Sequence, residues 1–223
     1  MLTAGQQLLQ NQKVESPRLE CELLLAHILG VQRHQMYLNE AEPLTSDQKQ
    51  TFHKLLQRRL KGEPLQYILG AWEFMGLPFK VDPRVLIPRW ETEWLVDTIL
   101  KAVKEREPFL HILDLGTGSG AIAVSLAHYL PQAKVTAVDI QKDALEVAKE
   151  NAELNGVAHH IKFLNGDMFA PLAMPSNQKR FDVIVSNPPY IPTYELNSLM
   201  REVRDYEPVT ALDGGVDGMD YYR

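Results

Sequence analysis

A single cysteine, Cys21, stands among the 223 residues of the chain. One thiol cannot close an internal disulfide, and the lack of a disulfide framework fits a reducing cytoplasm. Long apolar runs are missing too. No stretch approaches the roughly 20 residues that a membrane span requires, so no membrane association is expected. The amino terminus, Met1-Leu2-Thr3-Ala4-Gly5-Gln6-Gln7, has no basic start followed by an apolar core, so no secretory leader is read there. Clustered positive charge is scarce. A net charge of −6 argues against strong nonspecific binding to nucleic acid, whose affinity rests on grouped Lys and Arg. A local basic group, Lys54, Arg58, Arg59 and Lys61, reads as a solvated helix face. His159 and His160 are adjacent and would point apart on a strand, and the other histidines show no ligand spacing, so no metal site is expected. No Ser/His/Asp or Cys/His arrangement is visible either.

What the chain does contain is ordinary for a globular protein of one to two domains: 45% apolar and 23% charged residues, with ample material for a core. Residues 1 to about 62 read as helical. Ser16-Pro17 is a helix start, with Ser as cap and Pro at the first helical position. Leu19, Leu23, Leu24, Ala26 and Ile28 fill one face before Gly30. A second helix begins near Thr45-Ser46-Asp47, carries Phe52, Leu55, Leu56 and Leu60, and stops at Gly62-Glu63-Pro64. From Leu65 the period shortens toward strands, and Gly76-Leu77-Pro78 links two short runs as a hairpin. Val85-Leu86-Ile87-Pro88-Arg89 then leads into a helix that Pro88 would start, with Glu91 and Glu93 suited to its positive end. Arg89 could alternatively face a cofactor carboxylate or a substrate.

The next stretch has the strand–loop–helix–strand order of a nucleoside site. Leu110-His111-Ile112-Leu113-Asp114-Leu115 is a strand, Gly116-Thr117-Gly118-Ser119-Gly120 a glycine loop, and Ala121 to Ala127 the opening of a helix. Glycines let a backbone pass close under a ligand. Their spacing is G-x-G-x-G rather than the dinucleotide pattern. The following strand, Lys134 to Val138, ends in Asp139, where an acid can accept hydrogen bonds from both ribose hydroxyls. A third strand, Ile161 to Leu164, runs into Asn165-Gly166-Asp167-Met168. There Asp167 could accept from an adenine amino group and Met168 could pack on the ring; a turn Asp and a core Met are the alternatives.

The apolar run Phe181-Asp182-Val183-Ile184-Val185 reads as a fourth buried strand, stopped by Ser186-Asn187-Pro188-Pro189-Tyr190. Ligands bind at the carboxyl ends of strands in open α/β sheets. Pro188 and Pro189 have no N–H, so Asn187 Oδ1 and the Pro188 carbonyl could together accept both protons of a planar –NH2, with Tyr190 offering a flat face. A plain Asn-Pro turn is the alternative for these residues taken alone.

Taken together, these blocks resemble the class I S-adenosylmethionine-dependent methyltransferases and, more narrowly, the release-factor glutamine methyltransferase family of PrmC/HemK type. The resemblance runs through the helical amino-terminal part, Tyr67-Ile68-Leu69-Gly70, Phe74-Met75-Gly76, Val85-Leu86-Ile87-Pro88-Arg89 and Glu91-Thr92-Glu93. It continues through Asp114 to Gly120, Ser186 to Ile191, and Glu207-Pro208 with Ala211-Leu212-Asp213-Gly214-Gly215. It implies methyl transfer to the side-chain amide nitrogen of the glutamine in the Gly-Gly-Gln tip of peptide chain release factors. It implies a cofactor, S-adenosylmethionine, surrounded by Gly116, Thr117, Gly118, Ser119, Gly120, Asp139, Asp167, Met168 and Asn187. Asn187, Pro188 and Tyr190 would be the catalytic group, and Asn187, Pro188, Pro189 and Tyr190 would hold the glutamine. Trp90 stands where the family usually has proline, and Met168 where it often has an aromatic.

The expected architecture is α/β: a Rossmann-like class I methyltransferase sheet with a small amino-terminal helical bundle and a β-hairpin linker. The expected divisions are a helical substrate-recognition domain over 1–63, a linker over 64–88 and a methyltransferase domain over 89–223. Class I sheets carry seven strands and only four are counted here, so the expectation is a fragment truncated after the fourth strand, with weakened stability and doubtful activity. An uncovered fourth strand would be an aggregation hazard. A DNA or RNA adenine N6-methyltransferase is a rival reading, since Asn-Pro-Pro-Tyr also marks DNA adenine enzymes, but it would need a basic groove. A noncatalytic interaction module is the other.

Overall fold

The computed structural model describes residues 1–37, 43–105, 109–172 and 181–223. The helical expectation over 38–42 lies outside the described residues. In chain order the helices are α1 (Leu2–Asn11), α2 (Pro17–Leu29), α3 (Ser46–Leu60), α4 (Leu65–Leu69), α5 (Trp90–Val103), α6 (Ala121–Tyr129), α7 (Lys142–Leu154) and α8 (Arg201–Tyr206). The strands are β1 (Ala71–Phe74), β2 (Leu77–Lys80), β3 (His111–Leu115), β4 (Lys134–Asp139), β5 (Ile161–Asn165) and β6 (Val183–Ser186). The chain divides into two units, Met1–Leu69 with Arg201–Tyr206, and Gly70–Met200 with Glu207–Arg223. Among the described residues, no helix is long and apolar enough to cross a membrane.

The helical unit forms around Leu9, Cys21, Leu24, Phe52, Leu56, Leu65 and Ile68. Ser16 is the N-cap of α2 with Pro17 at its first position, and Gly30, at φ 66°, closes it. The face that α2 buries differs from the expected one: Leu19 is exposed, while Glu22 is buried. A buried carboxylate needs partners, and Glu22 has them: Arg18 Nε and Arg33 Nε each donate at 2.7 Å. With the Tyr37 hydroxyl bond as the largest cause, its carboxyl is held down at about 2. At the start of α3, the Thr45 side chain accepts from the Gln48 N–H and the Gln48 side chain accepts from the Thr45 N–H, a reciprocal cap. The residues from Leu65 to Leu69 are helical rather than strand-like, because Leu65 and Ile68, three apart, both reach the core. Arg59 corrects the reading of a solvated basic face. It is buried, with Nε 2.6 Å from Glu20 and Nη2 2.9 Å from Glu202 of α8.

The second unit opens with the antiparallel hairpin β1–β2, closed at Phe74↔Leu77 by Met75 and Gly76, both in the left-handed region at φ 53° and 69°. Its main sheet is parallel, in the order β5-β4-β3-β6. The core against it includes Phe79, Val96, Ile112, Val124, Leu126, Val135 and Ala137. The fourth strand spans Val183–Ser186, two residues later at its start than the expected Phe181, because Asp182 Oδ2 accepts the His111 N–H at 2.7 Å and turns the chain there. Helix α5 starts at Trp90 with Arg89 as N-cap, so Pro88 precedes the helix instead of beginning it. Trp90 occupies the first helical position, which proline suits but does not require. His159 and His160 lie in a 3₁₀ turn, not on a strand, and their ring centroids are 4.0 Å apart.

Candidate active site

Three parallel strand ends build the site. In the β3–β4 ladder Leu115 lies opposite Val138, and in the β3–β6 ladder Leu115 lies opposite Ser186. Gly116 and Asn187, which follow β3 and β6, and Asp139, the last residue of β4, therefore emerge side by side at the carboxyl edge of the sheet. Ser186 tightens this by donating from Oγ to the Leu115 carbonyl at 2.7 Å.

These residues line one cleft. Its walls include Gly116, Thr117, Gly118, Ser119, Asp139, Asp167, Met168, Asn187, Pro188 and Pro189. Two residues expected at the site are placed elsewhere. Gly120 lies outside the lining; it caps α6 at φ 80°, where an added Cβ would stand 3.1 Å from Ala148 Cβ. Its part is the close approach of α6 and α7. Tyr190 is also outside the lining, with its side chain 61% exposed.

The glycine loop is held from below. Asp139 Oδ2 accepts the Gly118 N–H and its Oδ1 accepts the Gln141 N–H, both at 2.8 Å. Burial raises the Asp139 carboxyl above its ordinary value, opposed by these backbone donors. At Gly118, φ is 55° and nothing stands within 4 Å of where a Cβ would be, so the backbone lies bare to the cleft. Met168, also at positive φ, 42°, follows Asp167 at the end of β5.

The Asn-Pro-Pro turn is fixed by the strap that follows Glu207. Ile191 N–H donates to Leu212 O at 3.1 Å, Gly214 N–H to Ile191 O at 2.8 Å, and Thr193 N–H to Gly215 O at 2.8 Å. Gly214 is required by this packing, since a Cβ there would meet Tyr190 Cα at 2.7 Å. Pro188 is buried and Asn187 half-buried. Asn187 Nδ2 donates to Thr92 Oγ1 at 3.1 Å.

Several neighbours of the site make contacts that the sequence reading did not give. Thr92 and Arg89 also line the cleft, and the Arg89 Nη2 donates to Glu207 Oε1 at 2.6 Å. Glu207 is buried and its Oε2 also accepts the Ile87 N–H at 3.4 Å. Glu93 does not cap its own helix; its Oε1 accepts the Met75 N–H of the hairpin at 2.7 Å. Asp114, at the end of β3, is fully buried and accepts from Thr117 Oγ1 at 2.6 Å. Burial pushes its carboxyl up to about 7, with the Thr117 bond opposing and the charge of Asp139 adding. Asn151 of α7 donates to Ser119 O at 2.9 Å and so holds the loop from behind. No local pattern marks Asn151; the others lie in the motifs Val85 to Arg89, Glu91-Thr92-Glu93, Asp114 to Gly120 and Glu207-Pro208, which do not show whom they pair with.

Comparison with known proteins narrows the assignment. A family profile described as PrmC N-terminal domain matches residues 1–70, and one described as methyltransferase domain matches residues 107–208. The release factor glutamine methyltransferase of Geobacter sulfurreducens is 48% identical over 210 residues, covering 94% of this chain and 71% of that relative. That of Chlorobaculum tepidum is 45% identical, covering 95% and 73%. That of Moorella thermoacetica is 48% identical, covering 94% and 72%. With its strand-end cleft and its Asn-Pro-Pro-Tyr turn, the chain belongs to the release factor glutamine methyltransferase family.

Proposed function

We propose that this chain is a cytoplasmic enzyme that methylates the glutamine side-chain amide in the Gly-Gly-Gln tip of peptide chain release factors, with S-adenosylmethionine as methyl donor. The observation that carries the proposal is the register of β3 with β6. It brings Asn187 to the glycine loop in a single cleft. The cleft fits the cofactor: the loop is bare at Gly118, and Asp139, anchored through both oxygens, keeps lone pairs for ribose hydroxyls. Asp167 and Met168, which also line the cleft, would take the adenine amine and ring.

When bound, S-adenosylmethionine supplies a methyl group on an electrophilic sulfonium. The protein's task is to make a poor nucleophile reactive and to aim it. An amide nitrogen has a delocalised lone pair; Asn187 Oδ1 and the Pro188 carbonyl accept its two protons and raise its electron density. Pro188 and Pro189 contribute no competing N–H, and their fixed φ keeps the turn stiff. The glutamine nitrogen loses its proton to solvent after the methyl arrives, so the site needs no strong general base. Positioning and electrostatics then supply most of the rate.

The test combines labelled S-adenosylmethionine, a release factor, and mapping of the methylated residue. Asn187→Ala should lower kcat on the order of a hundredfold or more, with a much smaller change in cofactor Kd. Equal turnover by Asn187→Ala, or label appearing in DNA and not in the release factor, would overturn the proposal.

A further inference from the structure

The family motif Glu91-Thr92-Glu93 and the hairpin motif Phe74-Met75-Gly76 meet in the structure, and their meeting bears on Asn187. Met75 holds a left-handed backbone, costly for a side chain other than glycine. Both of its backbone groups are engaged: the N–H donates to Glu93 Oε1 and the carbonyl accepts from the Tyr129 hydroxyl, each at 2.7 Å. Glu93 thereby ties the first turn of α5 to the hairpin. At the cap, the Thr92 N–H donates to Arg89 O at 3.0 Å, and the Arg89 guanidinium is tied to buried Glu207. Thr92, between the anchored Arg89 and Glu93, presents Oγ1 into the cleft, where it accepts from Asn187 Nδ2 at 3.1 Å.

We infer that Thr92 is a positioning residue whose hydroxyl locks the Asn187 side chain in place, in the structure with Nδ2 toward Thr92; this rests on the proposed role of Asn187 in methyl transfer. A carboxamide has an acceptor end and a donor end, and its terminal torsion is broadly two-fold, so the two orientations interconvert readily. Only one serves this reaction. With Nδ2 on Thr92, Oδ1 is the end left to accept a proton from the substrate –NH2. Reversed, the asparagine would set N–H donors against the substrate's own N–H donors, and the nitrogen to be methylated would be turned away.

Thr92→Val removes the acceptor at nearly constant shape, and Thr92→Ser keeps it. The test measures kcat with S-adenosylmethionine and a release factor, cofactor Kd, and Tm, for both variants and for Asn187→Ala with and without Thr92→Val. The net worth of one hydrogen bond corresponds to roughly a five- to tenfold loss of kcat in Thr92→Val, with cofactor Kd and Tm close to wild type and near-complete rescue in Thr92→Ser. Adding Thr92→Val to Asn187→Ala should cost nothing further, because the lock then has nothing to hold. Wild-type kcat in Thr92→Val while Asn187→Ala is crippled would overturn the lock and leave the methyl-transfer reading standing. A loss seen in Tm or cofactor Kd and not in kcat, or no rescue by Thr92→Ser, would also overturn it. Normal turnover by Asn187→Ala would remove the underlying reading, and the lock with it.

Discussion

Replacing Asn151 by alanine tests how the cofactor loop is supported. Asn151 is fully buried on α7 and makes three hydrogen bonds. Its Oδ1 accepts the Lys80 N–H at 2.7 Å, and its Nδ2 donates to Lys80 O at 3.0 Å and to Ser119 O at 2.9 Å. Alanine removes all three. The Ser119 carbonyl is buried, so stranding it costs about 1–2 kcal/mol, while the two bonds to the half-exposed Lys80 backbone are worth about 0.5–1 kcal/mol each. The total is roughly 3 kcal/mol, or about 6–12 °C in Tm for a protein of this size. Asn155→Ala is the comparator. It is the C-cap of the same helix and donates from Nδ2 to Pro78 O in an exposed setting and to Asn151 O, both at 2.9 Å; Asn151 O keeps the Asn155 N–H as a donor, so the cost should stay near about 1 kcal/mol. Circular dichroism melting of both variants gives the stability arm, and equilibrium binding of labelled S-adenosylmethionine gives the functional arm. Asn151→Ala should also weaken cofactor binding, because Ser119 stands in the cleft wall. Equal Tm shifts for the two variants would refute the argument from burial, and an unchanged cofactor Kd would refute the claim that Asn151 supports the loop.

Two further perturbations probe the packing that supports the glycine loop. Asp114 ionises near 7 in the folded chain against about 3.8 in an ordinary setting, so the folded state keeps a proton that the unfolded state loses. Its contribution to stability is therefore full below the lower value and is lost as pH rises toward the higher one, by roughly 4 kcal/mol at most. Asp114→Asn, which still accepts from Thr117, should flatten the stability curve between pH 4 and 7 in urea titrations; parallel curves for the two proteins would exclude it. Gly120→Ala forces a side chain into a left-handed position, costing about 1–2 kcal/mol, and brings its Cβ to 3.1 Å from Ala148 Cβ. A loss near 2–3 kcal/mol in chemical denaturation is expected, and a loss under about 0.5 kcal/mol would contradict the packing described for α6 and α7.

The parts legible in the sequence were those written in local periodicity and turn chemistry. The β3–loop–α6 sequence, the acid that ends β4 and the proline stop after β6 could be read in order because each is a contiguous signal. Parallel register then brought Gly116, Asp139 and Asn187 together without further information. What could not be read were polar residues whose partners are distant in the chain. Thr92 meets Asn187, Arg89 meets Glu207 and Asn151 meets Lys80 across 95, 118 and 71 positions, and an isolated Thr, Arg or Asn looks the same whether it faces solvent or a buried amide. Arg59 failed for the same reason: charge predicts exposure until a counter-ion from another element makes burial tolerable. The helical reading of α4 was missed because five residues hold too little periodicity to oppose a strand signal, and only the contact of Leu65 and Ile68 with the core settles it.

The make-up of the helical unit constrains how this polypeptide can be cut and when it can finish folding. Its first segment ends at Leu69, yet α8 returns to it from Arg201–Tyr206. A piece expressed as residues 1–69 would keep Glu20 beside Arg59 but surrender Glu202, and the Lys61 carbonyl would lose the Tyr206 hydroxyl. During synthesis the bundle emerges early but waits until Glu202 has been made before its last ion pair can close.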